Sequence, residues 1–162
     1  MKKLISQRGI SAKADNSRLS KTKRAYLAGF LDGDGSIYVQ LKSNKTYKFG
    51  FQIAPYIVLF QSQKDQRNFE QLYSMINLGY MRIRKDGILE YIIGRQENII
   101  KFVNLVEPFV ILKKLQIVLL KKIIVAKSKV ENKKDFQALA KLIDTFRELN
   151  YSKNRKVRTL TP

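Results

Sequence analysis

Cysteine and histidine are absent from this 162-residue chain, and acid is scarce, 13 Asp and Glu against 32 Lys and Arg. Without cysteine there are no disulfides, no thiolate zinc sites and no thiol nucleophile. Without histidine there is neither the usual proton shuttle nor the commonest zinc ligand. Any metal chemistry must then rest on oxygen ligands, which favours hard cations such as Mg2+ held by carboxylates, backbone carbonyls and substrate phosphate. A long uninterrupted apolar run is missing too, because Lys113, Lys114, Lys121 and Lys122 break the stretch from Ile111 to Val125, which reads as a soluble helix and not as a membrane span.

What is present is positive charge. The net formal charge of +19 repels itself unless a polyanion is near, and nucleic acid is the leading partner. Charge alone does not separate an enzyme from a basic coat protein. The length suits one folding unit. Residues 1–18 are basic and nearly free of acid, and are read as a flexible DNA-hugging arm in preference to an organelle transit segment. Residues 19–152 are expected to form the domain and 153–162 a basic tail with Lys153, Arg155 and Lys156.

Along the chain, Ser20 is predicted to cap a helix with Tyr26, Leu27, Phe30 and Leu31 at helical spacing, ending at Asp32-Gly33-Asp34-Gly35. Taken alone, those last four residues read as a turn. From Ser36 to Lys42 the period changes to two, predicting a strand. Ser43 to Thr46 reads as a turn and Tyr47 to Gln61 as a second strand with a bulge or an edge at Pro55. Asp65 is expected to begin a second helix that stops before Gly79. A hairpin follows, Tyr80 to Lys85 and Ile88 to Ile93, turning at Asp86-Gly87. Helices are expected at Asn98 to Val106, Leu112 to Lys127 and Lys133 to Leu149. This order predicts an α+β fold, a four-stranded antiparallel sheet with helices on one face and an open face carrying Gln40, Lys42, Gln52, Arg82 and Arg84, able to lie along a DNA groove.

The segment Tyr26-Leu27-Ala28-Gly29-Phe30-Leu31-Asp32-Gly33-Asp34-Gly35-Ser36, present once, resembles the signature of the LAGLIDADG homing endonucleases. Tyr47-Lys48-Phe49, Gly79-Tyr80 with Arg82 and Arg84, Pro108-Phe109, and Leu149-Asn150 with Ser152-Lys153 and Arg155-Lys156 are similar to members of the single-motif, homodimeric branch, whose best-known members are intron-encoded in algal chloroplasts. The likeness covers roughly Leu19 to Lys156. It implies an αββαββα core with a saddle-shaped DNA-binding sheet, helices on the opposite face and extra C-terminal helices. It also implies a homodimer that makes double-strand breaks in a long pseudo-palindromic DNA site, using Mg2+ with Mn2+ as a substitute, and a chloroplast in preference to a mitochondrion. The alternatives are a non-cleaving RNA maturase of the same fold, with intron RNA as partner, or a DNA-binding regulator; a basic ribosomal-type binder is a further rival.

The residues agree independently. Ala25, Gly29 and Gly33 fall four apart, a stripe without bulk along which a second helix could approach closely. Two Asp34 carboxylates would then meet at adjacent helix C-termini, where the dipole disfavours negative charge by about 0.3 to 1 kcal/mol apiece, an arrangement that calls for cations. By resemblance Asp34 is the catalytic metal ligand and the Gly33 carbonyl a second one. Asp32 serves the helix interface, Gln61 positions water and Lys113 lies near the cleaved phosphate. Asp65 stands where relatives often carry a basic residue, so that either Lys64 beside it substitutes or the basic helper is missing. Base contacts are expected from Gln40, Lys42, Asn44, Thr46, Tyr47, Gln52, Arg82 and Arg84, while Val58 offers at most a thymine methyl contact. Phosphate contacts are expected from Lys153, Arg155 and Lys156.

Overall fold

In the computed structural model, residues 19–150 are described; the expected N-terminal arm and the basic tail with Lys153, Arg155 and Lys156 lie outside the described residues. The elements are α1 (Lys21–Asp34), β1 (Gly35–Ser43), β2 (Phe51–Ser62), α2 (Gln66–Ile76), β3 (Tyr80–Ile83), β4 (Ile88–Ile93), α3 (Gln96–Val106), α4 (Lys114–Ser128) and α5 (Lys133–Glu148), with 3-10 turns at Gln63–Asp65 and Glu107–Phe109. The four strands form one sheet in the order β1-β2-β4-β3. β4 pairs antiparallel with β2 (Ile57↔Ile93 to Ser62↔Ile88) and with β3 (Tyr80↔Ile92 to Ile83↔Leu89). The fold is α+β, as the order of periodicities predicts.

The chain forms two compact units, residues 19–37 with 56–114 and residues 38–55 with 115–150. The first is centred on Leu27, Leu31, Ile57, Leu59, Leu89, Tyr91, Ile99 and Phe102, all fully buried. The second buries Val39, Ile117, Leu120, Ile123, Phe136, Leu139, Ile143 and Phe146.

Local chemistry explains the ends of the elements. Ser20 accepts the Lys23 N–H, which starts α1. A capping box between Asn132 and Asp135 starts α5. Asn77 closes α2 in the left-handed conformation at φ 47°. Gly79 is required just beyond, because a Cβ there would lie 2.0 Å from the Ile92 carbonyl oxygen.

The helix ends inside Asp32-Gly33-Asp34-Gly35, as expected, running through Asp34 and closed by the Gly35 N–H on the Leu31 carbonyl. Other expectations need correction or refinement. Tyr47 lies in a turn, not in β2: its N–H donates to Asn44 O at 3.1 Å, and β2 begins only at Phe51. Asp65 does begin α2 as its N-cap residue, but without a side-chain hydrogen bond and after a 3-10 turn. Pro55 lies at a local edge, as expected, outside the β2–β4 ladder. It is buried inside β2, ahead of the Ile57↔Ile93 pair that opens the β2–β4 ladder, where its missing N–H costs that ladder nothing. Lys113 precedes α4 and is not within it.

Candidate active site

The motif lies on α1. Leu27, Ala28 and Leu31 are buried, whereas Ala25, Tyr26, Gly29 and Gly33 are exposed on the remaining surface of the helix. A Cβ built at Gly29 or Gly33 would meet nothing within 4 Å, so neither glycine is there to make room for its own chain. Gly35 is different, since a Cβ would lie 2.6 Å from Leu31 O; it is fixed by the tight passage from helix into strand.

Asp32 has an unexpected role. Its carboxylate accepts the backbone N–H groups of Ile111 (2.7 Å), Leu112 (3.0 Å) and Lys113 (3.0 Å), just ahead of α4. Lys113 in turn donates its ammonium to the Asp32 backbone carbonyl at 2.6 Å. Burial lowers the Lys113 pKa, and the negative charges of Asp32 and Asp34 oppose that shift. Two sequence-predicted site residues, Lys113 and Asp34, therefore sit close enough to feel each other at the end of α1.

Oxygen ligands remain at that end. The last carbonyls of a helix lack intrahelical partners. Leu31 O is taken by Gly35 N–H and Asp32 O by Lys113, while Gly33 and Asp34 are exposed residues of the last turn, each carrying oxygen donors. That donor set fits a hard divalent cation. Among the described residues no three Asp, Glu, His or Cys side chains cluster to enclose a metal.

Gln61, near the end of β2, is half-buried and its Oε1 accepts the Ser62 N–H at 2.8 Å. It lines a pocket of about 150 Å³ with Tyr26 and Phe30 of α1 and with Asp65, Asn68, Phe69 and Leu72. Asp65 thus occupies the neighbourhood of Gln61 with the opposite sign to the basic helper expected there. Lys64 is exposed beside it.

The expected DNA-contacting residues divide between the units. In the second unit Gln40 and Lys42 are exposed on β1, Asn44, Thr46 and Tyr47 belong to the β1–β2 turn, and Gln52 is half-buried near the start of β2. In the first unit Arg82 and Arg84 are both engaged by acids of their own hairpin. Arg82 pairs with Glu90, its cross-strand neighbour, and Arg84 with Asp86 in the turn. Val58 is buried, 2% exposed, and offers no surface to a base. The face expected to be wet is dry along β4, since Glu90 and Ile92 are buried at 7% and 2% exposure beside Phe60, Val58, Tyr80 and Arg82 of the adjoining strands. The pattern reading missed Glu90, although an acid inside the apolar run Ile88 to Ile93 is the signal for a paired, buried charge.

Known proteins share this arrangement. The chain is 36% identical over 150 residues to the DNA endonuclease I-CreI of Chlamydomonas reinhardtii, covering 90% of each sequence. It is 30% identical over 113 residues to the DNA endonuclease I-CvuI of Chlorella vulgaris, covering 70% of this chain and 68% of the relative. A crystal structure of I-CvuI in complex with the I-CreI target, in the presence of 2 mM Mg and with the DNA not cleaved, superposes with a TM-score of 0.78 at 26% identity over 85% of this chain and 87% of that one. Residues 27–124, from the helix that carries Asp34 to the helix that follows Lys113, match the family model described as LAGLIDADG endonuclease. Together with the exposed small residues of α1 and the oxygen donors at its end, these matches establish that the chain belongs to the LAGLIDADG endonuclease family.

Proposed function

We propose that this chain acts as a homodimer that cuts both strands of a long, nearly palindromic DNA site by divalent-metal-dependent phosphodiester hydrolysis. The observation that carries the reading is the end of α1, where the exposed Asp34 carboxylate lies within electrostatic reach of Lys113, itself held on the Asp32 carbonyl. Ala25, Gly29 and Gly33 leave open surface along the same helix, which supports the close approach of a second α1. Two copies then bring two Asp34 carboxylates together, and the target carries the matching two-fold repeat. The relatives' sources, two green algae, support an intron-encoded enzyme of the chloroplast.

The roles follow from position. Asp34 and Gly33 O hold Mg2+, for which Mn2+ substitutes. A cation held by these two residues would supply the means to activate water and to neutralise the leaving oxygen. Lys113, fixed by the Asp32 carbonyl, holds a positive charge beside the scissile phosphate. Gln61 has its Oε1 occupied by Ser62 N–H, which directs its amide nitrogen, a donor, to the attacking water. Gln40, Lys42, Asn44, Thr46, Tyr47, Gln52, Arg82 and Arg84 read bases, and the tail residues Lys153, Arg155 and Lys156 hold phosphate.

Incubation with a randomised double-stranded DNA library at low salt, in Mg2+ and in Ca2+ in parallel, tests this directly. Cleavage near the centre of one near-palindrome in Mg2+ alone, lost in Asp34→Asn while binding persists, is the expected result. Selective binding without cutting in either metal would instead mark a maturase or regulator, and unselective binding a coat protein.

A further inference from the structure

The turn between β1 and β2 carries three of the proposed base readers, Asn44, Thr46 and Tyr47. It closes on itself. Asn44 N–H donates to Gly50 O at 2.8 Å, Tyr47 N–H to Asn44 O at 3.1 Å and Gly50 N–H to Tyr47 O at 2.8 Å. The Asn44 side-chain oxygen accepts both the N–H (3.1 Å) and the hydroxyl (2.7 Å) of Thr46. Gly50 sits at φ 73°, where a side chain would be strained. These bonds fix the shape of the turn and leave its direction open.

Direction comes from α5 and the segment before it, in the same compact unit. Phe49 stacks on Phe136 with ring centroids 5.2 Å apart, and Phe51 lies 6.1 Å from the same ring, both at 21°. Lys48 donates its ammonium to the Glu131 carbonyl at 2.6 Å while lying 5.3 Å from the Phe49 ring centroid. Phe136 itself is 8% exposed, and the Asn132–Asp135 capping box fixes the start of the helix that holds it. The residues directly after Tyr47 are thus anchored twice, once by a stacked ring and once by a charged hydrogen bond.

We propose that Phe136, with the Glu131 carbonyl, is a positioning platform for base readout: a specificity-determining element that acts through Phe49 and Lys48 and touches no DNA. The inference rests on the nuclease reading above. Its physical basis is the steep loss of a hydrogen bond with distance and angle, so a reading loop that swings loses discrimination before it loses binding. A stacked ring suits this task because it fixes orientation at little cost in side-chain freedom.

The test is cleavage selection from a randomised library by the full-length chain, with Tyr47→Ala defining the block of base pairs that the turn reads. Phe136→Leu keeps apolar bulk and removes the ring. It is expected to lose discrimination at that same block, roughly fivefold or more per base pair, the worth of one good base contact. Preferences that depend on Arg84 stay intact, kcat at saturating DNA is retained while kcat/KM for the preferred site falls, and Phe136→Tyr, which restores the ring, recovers the profile. Lys48→Met should erode the same block. An unchanged profile, or an even loss at every position, overturns the proposal in either variant. So does a Lys48→Met protein that only binds all sites more weakly with a shallower salt dependence, since that marks a phosphate contact. Should Phe136→Leu fail to fold, Lys48→Met decides alone by the same criteria. A wild-type chain that neither cuts nor binds selectively overturns the nuclease reading and this inference together, a result distinct from an intact wild-type profile that the variants leave unmoved.

Discussion

Lys113 and Asp32 hold each other at both backbone and side chain: the Lys113 ammonium donates to the Asp32 carbonyl at 2.6 Å, and the Lys113 N–H donates to the Asp32 carboxylate at 3.0 Å. The same carboxylate gathers the N–H groups of Ile111 and Leu112, so an acid on α1 does for the approach to α4 what a capping residue does locally. It couples the end of α1 that carries Asp34 to Lys113, the cation nearest the proposed metal site.

Asp32→Ala removes three accepted hydrogen bonds and frees the backbone of residues 111–113, leaving Lys113 held only by its ammonium on the backbone carbonyl of position 32. Stability is expected to fall by about 1 to 3 kcal/mol, read as a lower urea midpoint. Cleavage should drop on the order of tenfold or more, since a cation displaced by an ångström or so no longer meets the phosphate. Asp32→Asn should rescue in part, because its single carbonyl oxygen can accept the Ile111 and Leu112 N–H groups that share one carboxylate oxygen, while its amide nitrogen sets a donor against the Lys113 N–H. An unchanged urea midpoint in Asp32→Ala would refute the capping role.

Two glycines should respond in opposite directions to alanine. At Gly79 a Cβ would lie 2.0 Å from Ile92 O and 3.1 Å from the Tyr91 ring, so Gly79→Ala is expected to cost about 3 kcal/mol or more, or to abolish folding. At Gly29 a Cβ meets nothing within 4 Å, and a helical Gly→Ala change stabilises by about 0.5 to 1 kcal/mol. Gly29→Ala should raise the melting temperature of the isolated chain yet weaken self-association in sedimentation. Unimpaired association would move the dimer contact away from this helix face.

Tyr91 is fully buried and its hydroxyl accepts the Leu78 N–H at 2.9 Å. Burial raises its pKa; the Leu78 N–H opposes the shift, and Tyr73, packed edge-on at 5.2 Å, adds to it. With the folded pKa above the unfolded one, the contribution of Tyr91 is complete below about pH 10 and is lost as pH rises beyond it, by at most about 1.4 kcal/mol per pH unit. Tyr91→Phe should be less stable than wild type near neutrality by about 1 to 3 kcal/mol, because the buried Leu78 N–H loses its acceptor. The gap should narrow above pH 10. Parallel unfolding curves of the two proteins from pH 8 to 11 test this, and a constant gap would count against it.

Features decided within a few residues were legible beforehand. Ser20 as a cap, the apolar stripe of α5 and the positive φ at Gly87 all follow from local chemistry, and the four-stranded sheet follows from the periods, whereas its order β1-β2-β4-β3 does not. Features decided by partners far along the chain were not. Asp32 shares its spacing with any motif acid, and only the return of residues 111–113 some eighty positions later shows what it holds. The turn at Tyr47 was read as strand because Phe49 and Phe51 look like strand residues; their stacking on Phe136 is tertiary. In a chain of net charge +19 every arginine reads as available, and only the register Arg82↔Glu90 shows that one is already paired.

That pair differs in kind from its neighbour. Arg84 and Asp86 are an exposed pair at 45% and 52% side-chain exposure, worth about 0 to 1 kcal/mol, so Arg84→Met should leave stability nearly untouched and report cleanly on DNA contact. Glu90 has 9% side-chain exposure, and removing Arg82 leaves its carboxylate buried without its cross-strand partner. Arg82→Met is expected to destabilise by about 3 kcal/mol, and the double change Arg82→Met with Glu90→Met to recover most of it, because two apolar side chains replace a buried ion pair at little cost. The four urea midpoints of this cycle decide the matter. If the double variant is as unstable as the sum of the single changes, the pair is not coupled, and any loss of DNA binding in Arg82→Met must be assigned to the missing guanidinium itself.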